Sequence, residues 1–309
     1  MTLPVIRSVT TTLATLRPGQ SAQVTIEAVD PDSRTVAVTV SVRSPTLLGW
    51  CPPDSTTAQI RAMTGRYARP QVMRLYTGAG GGIAPWSSGI LTQVPAGCPV
   101  HYSFKDWTSA SPAAVREWLS ARPAGRRDVV DLVTLDHEPE QQTAGDPSPA
   151  EFRQQWQELV GALAGHPRRA EVWLVPVFTE YAARRQASWW DDFGQVAAMP
   201  GVDAVGFDIY DTGYERYRTP AERNDFALAA ARRVGKPLVV AEWGIKRKPT
   251  LKGGKPYDPD GALCAQAMRD NVAHLRAQPD VPFVEWFHRG DCNLDARGPE
   301  RQAFVDLMG

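Results

Sequence analysis

The chain of 309 residues is long enough for one or two globular domains, and 43% hydrophobic with 22% charged residues indicates a full core rather than disorder. Its 34 basic and 34 acidic side chains cancel at neutral pH, so no net field draws it to nucleic acid, and a neutral partner such as a polysaccharide or oligosaccharide is expected. No stretch reaches the roughly 18 apolar residues of a membrane span, and the first residues lack the charged-then-apolar order of a signal peptide.

Residues 1–44 form a β-rich segment that differs from the rest of the chain. Residues 23–28 and 35–42 alternate with period two and are rich in Val and Thr, which predicts antiparallel strands separated by turn residues at Pro18-Gly19 and 30–32. The segment resembles part of an immunoglobulin-like sandwich, but it is shorter than the roughly 100 residues of a complete one. We therefore expect it to pack against the barrel, another copy of the chain or an assembly partner.

Residues 45–309 show strands alternating with helices, which is the pattern of parallel βα units. Eight units predict an α/β fold of the (β/α)8 (TIM) barrel type, whose usual size is about 250 residues. Helix starts are predicted at Ser148 and Thr219, because each precedes a proline and, three residues on, a glutamate. The predicted strands are residues 47–51, 72–76, 100–104, 130–135, 172–177, 204–209, 238–241 and 283–287.

A doubly wound open sheet is the alternative arrangement of the same units. No GxGxxG motif follows the first predicted strand to support it. The glycine-rich residues 78–82 also lack the Lys-Ser or Lys-Thr of a phosphate-binding loop. We therefore expect no nucleotide and no other cofactor.

Two predicted strands lead directly into carboxylates. The apolar run 129–135 precedes Glu138, and the run 237–241 precedes Glu242. Because the carboxyl ends of barrel strands share one face, the two glutamates are expected in one cleft. Retaining cleavage of a glycosidic bond uses one carboxyl as acid and a second, about 5 Å away, as nucleophile. The pair therefore predicts a glycosidase site.

Other side chains near strand ends are predicted to contact the substrate or the nucleophile. Tyr210 offers a hydrogen-bond donor and Arg74 offers a positive charge. Sugar rings stack on aromatic faces, and tryptophans at or just past strand ends are candidates for that contact. Those tryptophans are Trp107, Trp243 and Trp286.

Five short motifs at these strand ends resemble a known family. They are Ser-Phe-Lys at 103–105, His-Glu-Pro-Glu at 137–140, Phe-Asp-Ile-Tyr at 207–210, Ala-Glu-Trp-Gly at 241–244 and Glu-Trp-Phe at 285–287. Their order resembles a bacterial branch related to glycoside hydrolase family 26, which includes β-mannanases. The resemblance covers about residues 46–309 and implies a retaining (β/α)8 hydrolase with catalytic glutamates after strands four and seven.

By this resemblance Glu138 is the acid/base, His137 flanks it, Glu242 is the nucleophile and Lys105 is a substrate contact. The β-mannanases follow the acid/base with a short residue and Asn, whereas this chain continues with Pro139-Glu140. The residues that bind the sugar beside the scissile bond are therefore expected to differ. Glu140 is the rival for the acid role, but its position further into the loop favours a sugar contact or a solvated charge.

Two hypotheses of function are open. The first is endo-acting hydrolysis of a β-linked polysaccharide, mannan-like or a bacterial surface glycan. The second is a non-catalytic carbohydrate-recognition or structural module of a phage tail or cell-surface assembly, attached through residues 1–44. Phage proteins leave by lysis and need no export signal, which fits either an extracellular or a virion-associated protein.

No metal site is expected, because the four cysteines show no CxxC spacing. A site built from His137, Glu140 and Asp208 is the alternative. Cys51 and Cys292 are expected to be neighbours, since they follow the first and last barrel strands. Three loops are expected to select the substrate, and the last of them is basic, interpreted either as solvated or as facing an acidic glycan; they are residues 78–95, 139–147 and 246–259.

Overall fold

A computed structural model describes residues 5–11, 21–29, 35–77, 82–104, 111–141, 145–213 and 215–309. They form a three-stranded antiparallel sheet followed by a parallel barrel with surrounding helices. Both the barrel and the β-rich N-terminal segment predicted from the sequence are confirmed.

The N-terminal sheet has the strand order β1-β2-β3. Its central strand pairs with both neighbours, so that Ile26 lies between Val9 and Val38. The predicted turns at Pro18-Gly19 and residues 30–32 lie outside the described residues. The strands are β1 (Val5–Thr11), β2 (Ser21–Val29) and β3 (Thr35–Arg43).

The barrel strands are all parallel and run in the order β8-β7-β6-β5-β4-β12-β11-β10-β9. Strands β8 and β9 are the two halves of the predicted fifth strand, separated by Val175 and Pro176. The first half pairs with β7 and the second with β10, which closes the ring. The strands are β4 (Leu47–Cys51), β5 (Met73–Thr77), β6 (Val100–Phe104), β7 (Asp131–Leu135), β8 (Val172–Leu174), β9 (Val177–Thr179), β10 (Val205–Asp211), β11 (Leu238–Ile245) and β12 (Phe283–Phe287).

The helices pack outside the barrel through apolar side chains. Ser148 and Thr219 cap α3 and α6, each in a reciprocal capping box with Glu151 or Glu222, as predicted. Within the described ranges, every helix is too short or too polar to cross a bilayer. The helices are α1 (Thr57–Tyr67), α2 (Pro112–Ser120), α3 (Pro149–Leu163), α4 (Glu180–Arg185), α5 (Trp189–Asp192), α6 (Pro220–Arg233), α7 (Ala262–Ala277) and α8 (Gly298–Met308).

Candidate active site

A cavity of about 860 Å³ opens at the carboxyl ends of the barrel strands. Both predicted catalytic glutamates line it, Glu138 after β7 and Glu242 within β11. Among the described residues, its walls also include His137, Tyr76 and Tyr210. The remaining lining residues are Pro53, Asp54, Ser55, Gln141, Thr212, Phe287, Arg289, Gly290, Asp291 and Cys292.

A β-bulge in β11 aims Glu242 at this cavity. Phe207 of β10 pairs with Val240, but the next residue, Asp208, pairs with Glu242, so Ala241 is the extra residue. A bulge of this kind bends a strand and re-aims its side chains. Strand β11 therefore continues past its predicted end and carries Glu242 inside the sheet rather than on a loop.

The carboxylate of Glu242 is held by three donors. The hydroxyl of Tyr76 donates to Oε1, and Arg74 Nη1 lies 3.2 Å from the same oxygen. The hydroxyl of Tyr210 donates to Oε2. Because both oxygens accept from fixed groups and the side chain is buried, the contacts stabilise negative charge and fix its position.

Arg74 is shared between two buried carboxyl groups. Its Nη1 donates to Asp208 Oδ1 at 3.0 Å, and its Nη2 donates to Ser103 Oγ at 3.2 Å. Burial, followed by the negative charge of Glu242, raises the pKa of Asp208 well above its usual value. A protonated Asp208 leaves the positive charge of Arg74 to Glu242.

A second cluster of buried polar side chains lies on β6, β7 and β12 and consists of His101, Thr134 and Glu285. Thr134 Oγ1 donates to the carbonyl of Val175 at 2.6 Å, so it accepts from His101 Nε2 at 2.7 Å. His101 Nδ1 lies 2.9 Å from Glu285 Oε1. Burial lowers the pKa of His101 and raises the pKa of Glu285, which favours a neutral pair that shares one proton. A neutral Glu285 then does not compete with Glu242 for the positive charge of Arg74.

His137 reaches the nucleophile wall through Ser103. Its Nδ1 lies 3.1 Å from Ser103 Oγ, and that oxygen accepts a hydrogen bond from Arg74. The imidazole meets the ring of Tyr76 edge-on, with centroids 5.7 Å apart. In the cavity wall next to Glu138, His137 thus contacts Ser103, the partner of Arg74, and Tyr76, the partner of Glu242.

Glu138 lies on a strained turn directly after β7. Asp136 and Glu138 both have positive φ, 45° and 58°, although neither is glycine. Such conformations cost about 1–3 kcal/mol and concentrate at functional sites. The amide of Glu138 donates to the carbonyl of Val177 at 2.8 Å, and Gln141 Nε2 donates to Glu138 Oε2 at 2.7 Å. The turn therefore directs a half-buried carboxyl into the cavity.

Glu140 lies beneath this turn and outside the cavity lining. Its Oε1 accepts from the backbone amide of Thr179 and, at 2.9 Å, from Thr179 Oγ1. Burial raises the pKa of Glu140 to about 7. The structure thus buries Glu140 between the turn and β9, outside the residues that line the cavity, so it is not a solvated charge.

The predicted tryptophan contacts are placed differently from the expectation. Trp243 and Trp286 are fully buried and meet edge-to-face at 4.6 Å, outside the cavity lining. Phe287, the next residue on β12, lines the cavity instead and lies 5.8 Å from the ring of Tyr210. Lys105 and Trp107 lie outside the described residues.

Sequence reasoning missed Tyr76 and Phe287. Each stands two residues after an interior polar side chain, Arg74 on β5 and Glu285 on β12. Since side chains alternate across a strand, that spacing places both aromatic rings on the interior face. The alternation of side chains along each strand could therefore have identified Tyr76 and Phe287, whereas proximity to a strand end did not.

Neither a metal cluster nor a disulfide is found in the part of the chain that the structure describes. No group of three or more His, Cys, Asp or Glu residues there is arranged to hold a metal ion, so His137, Glu140 and Asp208 do not form one. All four cysteines are buried free thiols, including Cys51 and Cys292.

The basic loop after β11 is largely neutralised by ion pairs. Lys246 Nζ lies 2.9 Å from Asp291 Oδ2, and Lys248 Nζ lies 2.6 Å from Asp211 Oδ1. Arg247 pairs with Glu300. Each of these three cations therefore has an acidic partner within the protein, and Lys248 is also buried.

The fold is a (β/α)8 barrel with a short N-terminal β-sheet. The sequence matches no model of a known protein family and no curated protein sequence. Solved structures with a similar fold include a β-glucuronidase from an uncultured Clostridium species, 12% identical, with a TM-score of 0.54 over 99% of this chain and 68% of that one.

Two other similar structures each match about 85% of this chain. A curdlan-specific exo-β-1,3-glucanase of family GH128 from Blastomyces gilchristii is 14% identical, with a TM-score of 0.51 over 84% of this chain and 97% of that one. GH26C from a Muricauda species is 11% identical, with a TM-score of 0.50 over 85% of each chain. At these identities the likeness establishes the fold.

Proposed function

We propose that the protein is a retaining glycoside hydrolase that cleaves a β-linked polysaccharide. The observation that carries the proposal is one cavity lined by two glutamates in contrasting environments. Glu242 is buried and held by Arg74 and two tyrosines, whereas Glu138 is half-buried on a turn. Similar structures named as glycosidases support the same class of reaction.

Glu242 is the nucleophile in this mechanism. Its Oε1 is occupied by Tyr76 and Arg74, so Oε2, held by Tyr210, is the oxygen that attacks the anomeric carbon. The bond to the leaving oxygen breaks as the bond to Glu242 forms, which gives a covalent glycosyl-enzyme. Arg74 and the tyrosines keep the carboxylate charged and aligned before attack.

Glu138 is the acid and base. It gives its proton to the leaving oxygen in the first step and takes a proton from water in the second, when water releases the sugar from Glu242. Its half-buried position at the cavity wall leaves it accessible for repeated proton exchange with water. His137 is hydrogen-bonded to Ser103 and so holds the cavity wall next to Glu138 in place.

A neutral polysaccharide, mannan-like or a bacterial surface glycan cut internally, suits the cavity best. Its described lining carries the carboxylates of Asp54, Glu138, Glu242 and Asp291 but one guanidinium, that of Arg289. Arg74 and Lys246 pair with Glu242 and Asp291, so the cavity holds no surplus positive charge that would select an acidic sugar. Phe287 supplies an aromatic ring for stacking on a sugar face.

The test is release of reducing sugar from a panel of mannans, glucans, xylans and acidic bacterial glycans. Native protein is expected to cut a neutral β-linked member, and Glu242→Gln is expected to leave it intact. If the whole panel stays intact while the protein binds one member, the chain is a carbohydrate-recognition module instead.

A further inference from the structure

The N-terminal sheet presents an uncovered apolar face. Paired residues lie on the same side of a sheet, so Val9, Ile26 and Val38 share one face, as do Val24 and Val40. Large apolar side chains on this face are exposed to solvent: Ile6 by 62%, Val9 by 61%, Val38 by 52%, Val40 by 46% and Val42 by 40%.

The opposite face of the same sheet is polar. Ser8 donates to Glu27 at 3.1 Å, and the hydroxyls of Thr25 and Thr39 lie 3.1 Å apart. The strands therefore have the alternation of a sheet that buries one side and solvates the other. In the described part of the chain the two outer strands of this apolar side are exposed, whereas Ala22 of the central strand is only 5% exposed.

We propose that this apolar face packs against the same face of a second copy of the chain. In a two-fold contact each residue meets the same patch of its copy, so a charged face would repel itself. The described side chains on this face are Val, Ile, Ala and Thr, and the charged Glu27 lies on the other side. Such a face is complementary to itself.

The number of strands also supports a second copy of the chain as the partner. Two three-stranded sheets packed face to face give six strands, close to the seven of a complete immunoglobulin-like sandwich. Each copy thus supplies the half of the sandwich that the other lacks. The inference does not depend on the glycosidase activity.

The area of the apolar face determines the affinity expected for the dimer. A nine-residue strand spans about 30 Å and three strands span about 14 Å, so each copy offers a flat face of about 400 Å². Interfaces of this size belong to the small, weak class. The dimer is therefore expected to dissociate at micromolar concentrations.

Analytical ultracentrifugation across the micromolar range tests the proposal with the full chain. Val40→Lys places a charge on the apolar face, and Ala37→Lys places the same charge on the polar face of the same strand, opposite Glu27. Native protein and Ala37→Lys should form dimers. Val40→Lys should raise the dissociation constant by at least about 100-fold, because like charges would face each other.

Fold is checked by the melting temperature at a concentration where native protein is monomeric, which Val40→Lys should leave unchanged because Val40 is exposed in the single chain. A native chain that stays monomeric throughout would overturn the proposal and leave the face to a different partner. Equal dimer strength in the two lysine variants, or assembly beyond a dimer through this face, would also overturn it.

Discussion

Glu242 and Glu138 face one cavity but are held in different ways. Glu242 lies within a strand, is re-aimed by a bulge and accepts hydrogen bonds from two tyrosines. Glu138 lies on a turn with a positive φ of 58° and is half-buried. A carboxylate that must stay charged gains from fixed donors, whereas one that exchanges protons with water gains from exposure. The difference is the basis for assigning their roles.

The largest effect is expected from Glu242→Gln. Loss of the nucleophile should lower kcat by about 10⁴-fold or more, since no covalent intermediate can form. Rates of sugar release on the substrate found in the panel measure this. Glu140→Gln is the matched control, because Glu140 does not line the cavity and should retain activity within a few-fold. Equal losses in both variants would contradict the assignment.

Glu138→Ala tests the acid role, because its effect should depend on how much protonation the leaving group needs. Without the acid, kcat should fall by about 10² to 10⁴-fold on the polysaccharide, whose leaving alcohol needs a proton. An activated aryl glycoside needs little protonation, so the step that forms the glycosyl-enzyme should be nearly unaffected. Pre-steady-state measurement of the aryl alcohol burst separates the two. A burst that slows as much as the polysaccharide reaction would argue against an acid role.

Tyr76→Phe removes one donor from Glu242 Oε1. The carboxylate is then held less firmly, so kcat/KM should fall by about 10 to 100-fold. Tyr102→Phe is the control, because the Tyr102 hydroxyl accepts from the Ala84 amide. A kcat/KM that falls no further than in the control would show that the Tyr76 hydroxyl does not help to hold Glu242.

The smallest effect is expected on stability, through Glu140, which lies beneath the turn that carries Glu138. Burial raises the pKa of Glu140 from 4.5 to about 7, so its charged form is disfavoured in the folded state. Stability should therefore fall as pH rises from 4.5 through 7, by on the order of 2 to 3 kcal/mol. Glu140→Gln cannot ionise and should lose this contribution to the pH dependence. Melting curves from pH 4 to 8 compare the two, and parallel curves would refute the buried acid.

Much of the barrel follows from the sequence, because strands buried on both faces read as apolar runs. The predicted bounds of β4, β6 and β12 match those in the structure. The split of the fifth strand at Pro176 is also a local effect, since proline has no amide to donate to a sheet.

The site was less predictable, because it depends on details that a hydrophobic pattern does not encode. The bulge at Ala241 extends β11 and carries Glu242 inside the sheet, although the sequence pattern ends the strand before it. Glu140 is a polar residue in a loop by sequence, yet tertiary contacts with Thr179 bury it. Trp286 is buried outside the cavity lining, whereas the next residue, Phe287, lines the cavity, because successive side chains of a strand point to opposite faces.

Azide rescue tests the assignment of the two glutamates most directly. In Glu138→Ala, azide needs no base and should attack the glycosyl-Glu242 intermediate, which gives a glycosyl azide of retained configuration. In Glu242→Ala, azide should take the place of the missing carboxylate and give the inverted product. Proton NMR of the anomeric centre distinguishes them. Inverted azide from Glu138→Ala, or retained azide from Glu242→Ala, would contradict the proposed roles.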